Sequence, residues 1–355
     1  MALFKDILRS DESIFQDTVA LDYDYIPKLV PFREKEQRFI ASCIKPLFQK
    51  RNGKNVLIYG RPGVGKTVAT RHVVNELEEE TVDIIPIYIN CWQRNSSYKI
   101  MLELCSKLDY KFTQNKKTDE LFDIVKEILN KKSAVFVFDE IDKAEDVDFI
   151  YFILENIYRK TVIIVTNYKS WLEQLDERLK SRLLPELVEF SPYDEKETYE
   201  ILKRRLEYAF VSGVWDEDAF GIIAKKSAEL GDIRTGLFLM KEAGNCAENK
   251  SSRKIKIEHA KEALKKLENF SIKSSDSLED DEKLILSIIK QNSGKKIGDL
   301  FDIYQKKSGQ LSYKTFQRKI ADLEKNKFVD IKKIIGSGGS TSIITYQTTK
   351  KLTEF

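Results

Sequence analysis

Eight consecutive residues, Gly60-Arg61-Pro62-Gly63-Val64-Gly65-Lys66-Thr67, satisfy the pattern G-x-x-x-x-G-K-S/T without a mismatch. Few short motifs constrain a fold so tightly, because the flanks must then be a buried strand before the loop and a helix after it. Val56-Leu57-Ile58-Tyr59 supplies the apolar run on one side, and Val68 to Leu77 supplies apolar residues at helical spacing on the other. In such a loop the glycines let successive backbone N–H groups converge on an anion at a helix N-terminus, where the dipole also favours negative charge. The backbone from Gly60 to Val68 is therefore expected to cradle phosphates, with Lys66 reaching the β- and γ-phosphates and Thr67 holding Mg²⁺. The expected ligand is a nucleoside triphosphate, ATP (or ADP), with Mg²⁺.

A second motif completes the chemistry. Val135-Phe136-Val137-Phe138 reads as a buried strand ending in Asp139-Glu140. Asp139 is expected to hold the metal's water shell opposite Thr67, and Glu140 to orient or deprotonate an attacking water. A third strand-like run, Val162 to Val165, ends in Thr166-Asn167, where a polar side chain can contact the γ-phosphate or position water between the two motif strands. Arg178 and Arg182 lie in Asp176 to Leu183 and read either as donors to a neighbouring subunit's nucleotide or as a solvated basic face. Gly231-Asp232-Ile233-Arg234 opens a helix from which Arg234 is expected to reach the phosphates.

Apolar runs at Val56–Tyr59, Ile84–Asn90, Ala134–Asp139, Thr161–Thr166 and Leu187–Phe190 alternate with helical patterns. Short and nearly continuous in hydrophobicity, they read as strands buried on both faces of a parallel sheet, a doubly wound α/β domain. Residues 194–270 carry helical periodicity only, as in Leu202, Leu206 and Ala209, and then Leu237, Met240 and Ala243. Polar, acidic residues follow. Two short helices, a helix over Leu311 to Phe328, and β-rich runs at Phe328–Ile335 and Thr341–Thr348 then read as a winged helix. The expected organisation is 1–192 for an N-terminal segment plus nucleotide-binding domain and 193–270 for a helical lid. A linker is expected over 271–282, and a winged-helix DNA-binding domain over 283–355.

Charge separates along the same boundaries. The whole chain carries only +3, but Lys283 to Phe355 holds 15 Lys and Arg against 6 Asp and Glu, leaving −6 for everything before it. A basic module on a near-neutral chain is the footprint of a polyanion partner. On Leu311 to Phe328 the apolar Phe316, Ile320 and Leu323 share one face, and Lys314, Gln317, Arg318 and Lys325 fall on the other with Tyr313 and Lys319 beside them. That face suits a major groove, and Lys332 and Lys333 with the Gly336 to Ser340 tip suit the adjacent backbone or minor groove. A winged helix with a merely solvated basic face that binds protein is the alternative. Four cysteines far apart, with no C-x-x-C pair, argue for reduced thiols. No run approaches a membrane span, and the start Met1-Ala2-Leu3-Phe4 is not read as a signal peptide, so a cytoplasmic, nucleoid-associated protein with no membrane partner is expected.

The order of phosphate loop, Asp-Glu strand, strand-terminal Asn, Ser-Arg segment and helical lid with Gly-Asp-x-Arg resembles an AAA+ ATPase. Four further stretches resemble the archaeal initiators similar to origin recognition complex subunit one and cell division control protein six. They are Asp24-Tyr25-Ile26-Pro27 through Glu36; Tyr88-Ile89-Asn90-Cys91; Phe190-Ser191-Pro192-Tyr193 through Phe210; and Gly231-Asp232-Ile233-Arg234 through Glu248. With the winged helix, this resemblance covers nearly the whole chain. It implies that Tyr193 and Arg205 line the nucleotide from the lid, that Asn167 and Arg234 are the first and second sensors, and that Arg182, with Arg178 as rival, is the arginine finger. It implies an ATP-dependent initiator that recognises origin duplex DNA and, with other initiator subunits, helps load the replicative helicase, with hydrolysis used as a slow switch. Thr235-Gly236-Leu237-Phe238 departs from the more basic continuation usual in that family. A signalling (STAND-like) or transposition-helper ATPase remains the competing expectation.

Overall fold

The computed structural model describes residues 13–276, 280–307, 309, 311–325, 328–336 and 339–346; within these, the side chains of 268–276, 280, 325, 333–336 and 339–341 lie outside the description. The chain divides into two compact units, Met1–Leu264 and Lys265–Phe355.

The first unit is built on a five-stranded sheet: β1 (Val56–Tyr59), β2 (Ile84–Asn90), β3 (Ser133–Asp139), β4 (Lys160–Thr166) and β5 (Glu186–Glu189), in the order β2-β3-β4-β1-β5. Every pairing is parallel. Alternate residues of each strand go to opposite faces. Leu57, Phe136, Phe138 and Ile164 pack against α3 (Ser97–Lys107), α4 (Thr118–Leu129), α5 (Asp148–Asn156) and α6 (Glu177–Leu183). Val56, Ile58, Val137 and Ile163 pack against α1 (Glu34–Ile44) and α2 (Lys66–Glu80). Burial on both faces is why these strands read as continuous apolar runs, and each large side chain so buried contributes about 1.5–3 kcal/mol. Register sets Asn90 beside Asp139 and Tyr59 beside Thr166, which lines up the carboxyl ends of the strands where ligands of open α/β sheets bind.

Four helices follow: α7 (Glu195–Ala209), α8 (Glu217–Leu230), α9 (Ile233–Asn249) and α10 (Ile257–Asp276). A capping box between Asp194 and Glu197 starts α7, and the Asp232 side chain caps α9. The N-terminal residues join this bundle rather than the sheet. Ser13 Oγ and Ile14 N donate to Glu248 Oε1 at 2.6 and 3.0 Å, Gln16 N donates to Ala209 O at 2.8 Å, and Val211 N donates to Ile14 O at 3.0 Å. The Phe15 ring lies 4.8 Å from that of Phe210, in the space left by the missing side chain of Gly244. Phe15 thus finds its apolar partners on the lid, while Val30, later in the same segment, packs on the α1/α2 face of the sheet. The described part of the expected linker, 271–276, is helical as the end of α10.

In the second unit, the described residues form α11 (Asp280–Gln291), β6 (Lys295–Lys296), α12 (Ile297–Lys306), α13 (Tyr313–Lys325), β7 (Val329–Gly336) and β8 (Gly339–Tyr346). The strands make an antiparallel sheet in the order β6-β8-β7. Ile285, Ile288, Leu300, Tyr304, Phe316 and Ile320 form its core. The hairpin of β7 and β8 after three helices is consistent with a winged helix.

Candidate nucleotide-binding site

The loop between β1 and α2 is held open by backbone conformations that L side chains resist. Gly63 and Gly65 have φ of 78° and 87°, and a Cβ on Gly65 would stand 2.5 Å from Tyr193 Oη. A Cβ on Gly63 would collide with the Asp232 carboxylate. Lys66 follows, only 7% exposed, its Nζ donating to Gly60 O at 2.7 Å, Arg61 O at 2.9 Å and Asn167 Oδ1 at 2.9 Å. Burial pushes its pKa down to about 8, with Asp139 opposing the shift. The sequence-predicted Lys66 and Asn167 thus meet directly, at the ends of neighbouring elements. Arg61 and Pro62 are exposed on the loop, while Val64 and Val68 pack into the core on the α1/α2 face of the sheet.

Asp139 is 2% exposed and fully engaged. Its Oδ2 accepts from Thr67 Oγ1 at 2.7 Å and from Tyr88 Oη at 2.7 Å, and its Oδ1 accepts from Glu140 N at 2.8 Å. Burial, then Asp139, pushes the Tyr88 phenol far up. Glu140 is a non-glycine residue in the left-handed region, φ 54° and ψ 42°, a conformation costing about 1–2 kcal/mol. Its carboxyl is raised above the ordinary carboxylate range by burial first and by Asp139 second. A carboxylate strained into place with raised basicity suits proton abstraction from water.

The residues present fit a Mg²⁺-nucleotide. Glycine-built curvature, a buried ammonium, and a hydroxyl–carboxylate pair of hard oxygens are what phosphates and that metal require.

The lid reaches this loop. Ile233 N donates to Gly63 O at 3.4 Å, and the charge of Arg234 adds to the lowering of Lys66 and partly offsets the raising of Glu140. Tyr193, 9% exposed, lies under the Arg33 guanidinium, 4.0 Å from its ring centroid. Arg33 itself donates from Nε to Val64 O at 3.1 Å and from Nη2 to Ser191 O at 2.5 Å, clamping the loop to the segment that leads into the lid. Arg33 and Tyr88 are two site residues that motif spacing did not single out, although both lie in stretches that carry the family resemblance. Arg205, expected beside the nucleotide, directs its guanidinium to Ala20 O and Tyr25 O, both at 3.2 Å, and over the Tyr25 ring at 4.6 Å. It fastens the N-terminal segment to α7.

Of the two finger candidates, Arg182 is paired with Glu155 and lies 5.0 Å from the Tyr151 ring centroid. Arg178 is exposed, and its guanidinium makes no hydrogen bond or ion pair among the described residues. On α13, Lys314, Gln317 and Arg318 are exposed, opposite the fully buried Phe316, Ile320 and Leu323. Lys319 differs from its neighbours, being turned to Glu282 Oε1 at 2.9 Å. Lys332 is exposed on β7; the side chains of Lys325 and Lys333 and the tip residues Ser337 and Gly338 lie outside the described residues.

Comparisons with known proteins extend beyond this site. An AAA domain family matches residues 49–167, and a Cdc6 AAA+ ATPase-type lid domain family matches 199–265. The chain is similar to the ORC1-type DNA replication protein 1 of Sulfurisphaera tokodaii, 30% identical over 334 residues, which are 88% of this chain and 84% of that protein. It is similar to the protein of the same description from Archaeoglobus fulgidus, 30% identical over 344 residues, 91% of this chain and 84% of the other. Among solved structures, the Aeropyrum pernix ORC1 protein in complex with DNA superposes with a TM-score of 0.71 at 25% identity, covering 96% of this chain and 94% of that one.

Proposed function

The chain belongs to the archaeal ORC1-type family of AAA+ DNA replication initiators, and from that premise we propose that it is an ATP-controlled grip on origin duplex DNA. The observation that carries the reading is α13. Lys314, Gln317 and Arg318 stand in solvent on the face opposite Phe316, Ile320 and Leu323, within a segment carrying +9. Such a face matches a major groove, with Arg and Gln reading base edges and Lys meeting phosphate. The Aeropyrum pernix relative bound to DNA supports the same reading.

Nucleotide sets the state of the first unit. Lys66 would exchange its contacts with Gly60 O and Arg61 O for phosphate oxygens, and the backbone N–H groups between Gly60 and Val68, Pro62 excepted, would take the rest of the charge. Mg²⁺ held there would neutralise charge developing on those oxygens. Thr67 and Asp139 would hold the metal, Glu140 would accept a proton from the attacking water, and Asn167 and Arg234 would report the phosphates to the sheet and the lid. Arg178 or Arg182 serves the nucleotide of a neighbouring initiator subunit. The output is a conformational state that holds origin DNA and helps load the replicative helicase.

Mapping the protein's binding sites across its genome with ATP and without tests the reading. A sharp peak at an origin that depends on nucleotide is expected; uniform occupancy in both conditions contradicts it.

A further inference from the structure

Asp139 receives donors on both oxygens, yet only one of them comes from outside the two nucleotide motifs. Tyr88 lies in β2, opposite Val137 in register, and its side chain packs on the α1/α2 face of the sheet. From there the phenol reaches along the strand direction to Asp139 Oδ2 at 2.7 Å. The Arg71 guanidinium lies 5.1 Å from the ring centroid, and Arg71 is one helical turn beyond Thr67 on α2. The ring is thus wedged between the helix that carries Thr67 and the strand that carries Asp139.

The geometry points to Tyr88 as a positioning residue for the Mg²⁺ site: its hydroxyl sets the angle of the Asp139 carboxylate so that one edge faces the metal. This rests on the nucleotide-site reading. A carboxylate turns easily about its last side-chain bond, so its direction is set by whatever donates to each oxygen. Glu140 N fixes Oδ1. Oδ2 has two donors, Thr67 and Tyr88, and the Thr67 hydroxyl would also hold the metal. Tyr88 is strand-borne and is the donor to Oδ2 that comes from outside both nucleotide motifs. Partners that orient metal ligands in this way typically change metal affinity about 10- to 100-fold when removed.

Tyr88→Phe keeps the ring and deletes only the hydroxyl. Binding of a fluorescent ATP analogue to the full chain, titrated with Mg²⁺ and repeated in EDTA, reads the two effects separately. The Mg²⁺ concentration for half-maximal enhancement is expected to rise about tenfold in Tyr88→Phe, with affinity in EDTA unchanged within about twofold. In an Asp139→Asn background the same change is expected to add nothing, since both act through one carboxylate. A wild-type Mg²⁺ titration in Tyr88→Phe overturns the inference. So does an equal loss in EDTA, which would make Tyr88 a packing residue. If the wild-type chain binds no nucleotide at any Mg²⁺ concentration, it is the nucleotide-site reading that fails, and this inference falls with it.

Discussion

Lys66 and Lys314 are both cations expected to meet phosphate, and the molecule treats them in opposite ways. Lys66 is 7% exposed, held by two loop carbonyls and Asn167, and burial has pushed its pKa down to about 8. Lys314 stands in solvent on α13 with Gln317 and Arg318 around it. A buried cation must have its partners built before the ligand arrives, so its site is a fixed cage whose parts fail one at a time and at large cost. A solvated cation contributes through the summed field of its neighbours, so its surface loses affinity gradually and responds to salt. One region is therefore suited to switching and the other to gripping.

Single substitutions should break the first region. Glu140→Gln is expected to lower ATP hydrolysis by about 10²–10⁴-fold while leaving ATP binding intact, as phosphate release and nucleotide binding measured side by side would report. The wild-type rate should rise with pH through a carboxyl pKa above the ordinary value of 4.5, since the base works ionised and burial raises it; Glu140→Gln should lose that limb. Lys66→Ala is expected to weaken ATP binding by about a hundredfold, from loss of charge-assisted contacts worth ~1.5–3 kcal/mol each, with nucleotide-free duplex affinity preserved. Calorimetry with each ligand separates the two.

The second region should respond by degrees. Arg318→Ala is expected to cost about 1–3 kcal/mol on a preferred duplex and to flatten discrimination between sequences. Lys314→Ala should weaken all duplexes alike and make the salt slope shallower by about one, from a wild-type value near −4.5 if about five phosphates are neutralised. Anisotropy titrations over a salt series distinguish these, and a slope near zero would remove α13 from the DNA.

A separate effect is on stability. Lys66 has a folded pKa of about 8 against an ordinary 10.5, so between those values the unfolded chain binds more protons and folding is favoured as pH rises. The thermal midpoint of the nucleotide-free wild type, less that of Lys66→Met, should climb from pH 8 to 10.5 and level off beyond.

Features carried by local pattern were legible in the sequence. The runs at Val56–Tyr59 and Ile84–Asn90 coincide with β1 and β2, and the buried stripe of Phe316, Ile320 and Leu323 lies where helical spacing put it. Lys66, Thr67, Asp139 and Asn167 come together because each sits at the end of a strand or the start of a helix in one parallel sheet. What was not legible depends on partners distant in sequence. Arg33 meets Val64 and Ser191, Arg205 meets Ala20 and Tyr25, and Lys319 meets Glu282; no periodicity encodes such pairs. Lys295–Lys296 is too short and too polar to read as a strand, and becomes β6 only by pairing with β8. Polar residues 271–276 read as a linker because composition registers solvation, which a helix can also satisfy.

The central claim is that the caged site governs the solvated one, and duplex affinity measured with and without Mg²⁺-ATP tests it most directly. The account predicts a change of about fivefold or more in the wild type, the lower end of ordinary coupling energies, and none in Lys66→Ala. Equal duplex affinity in both conditions for the wild type, with ATP demonstrably bound, would contradict it.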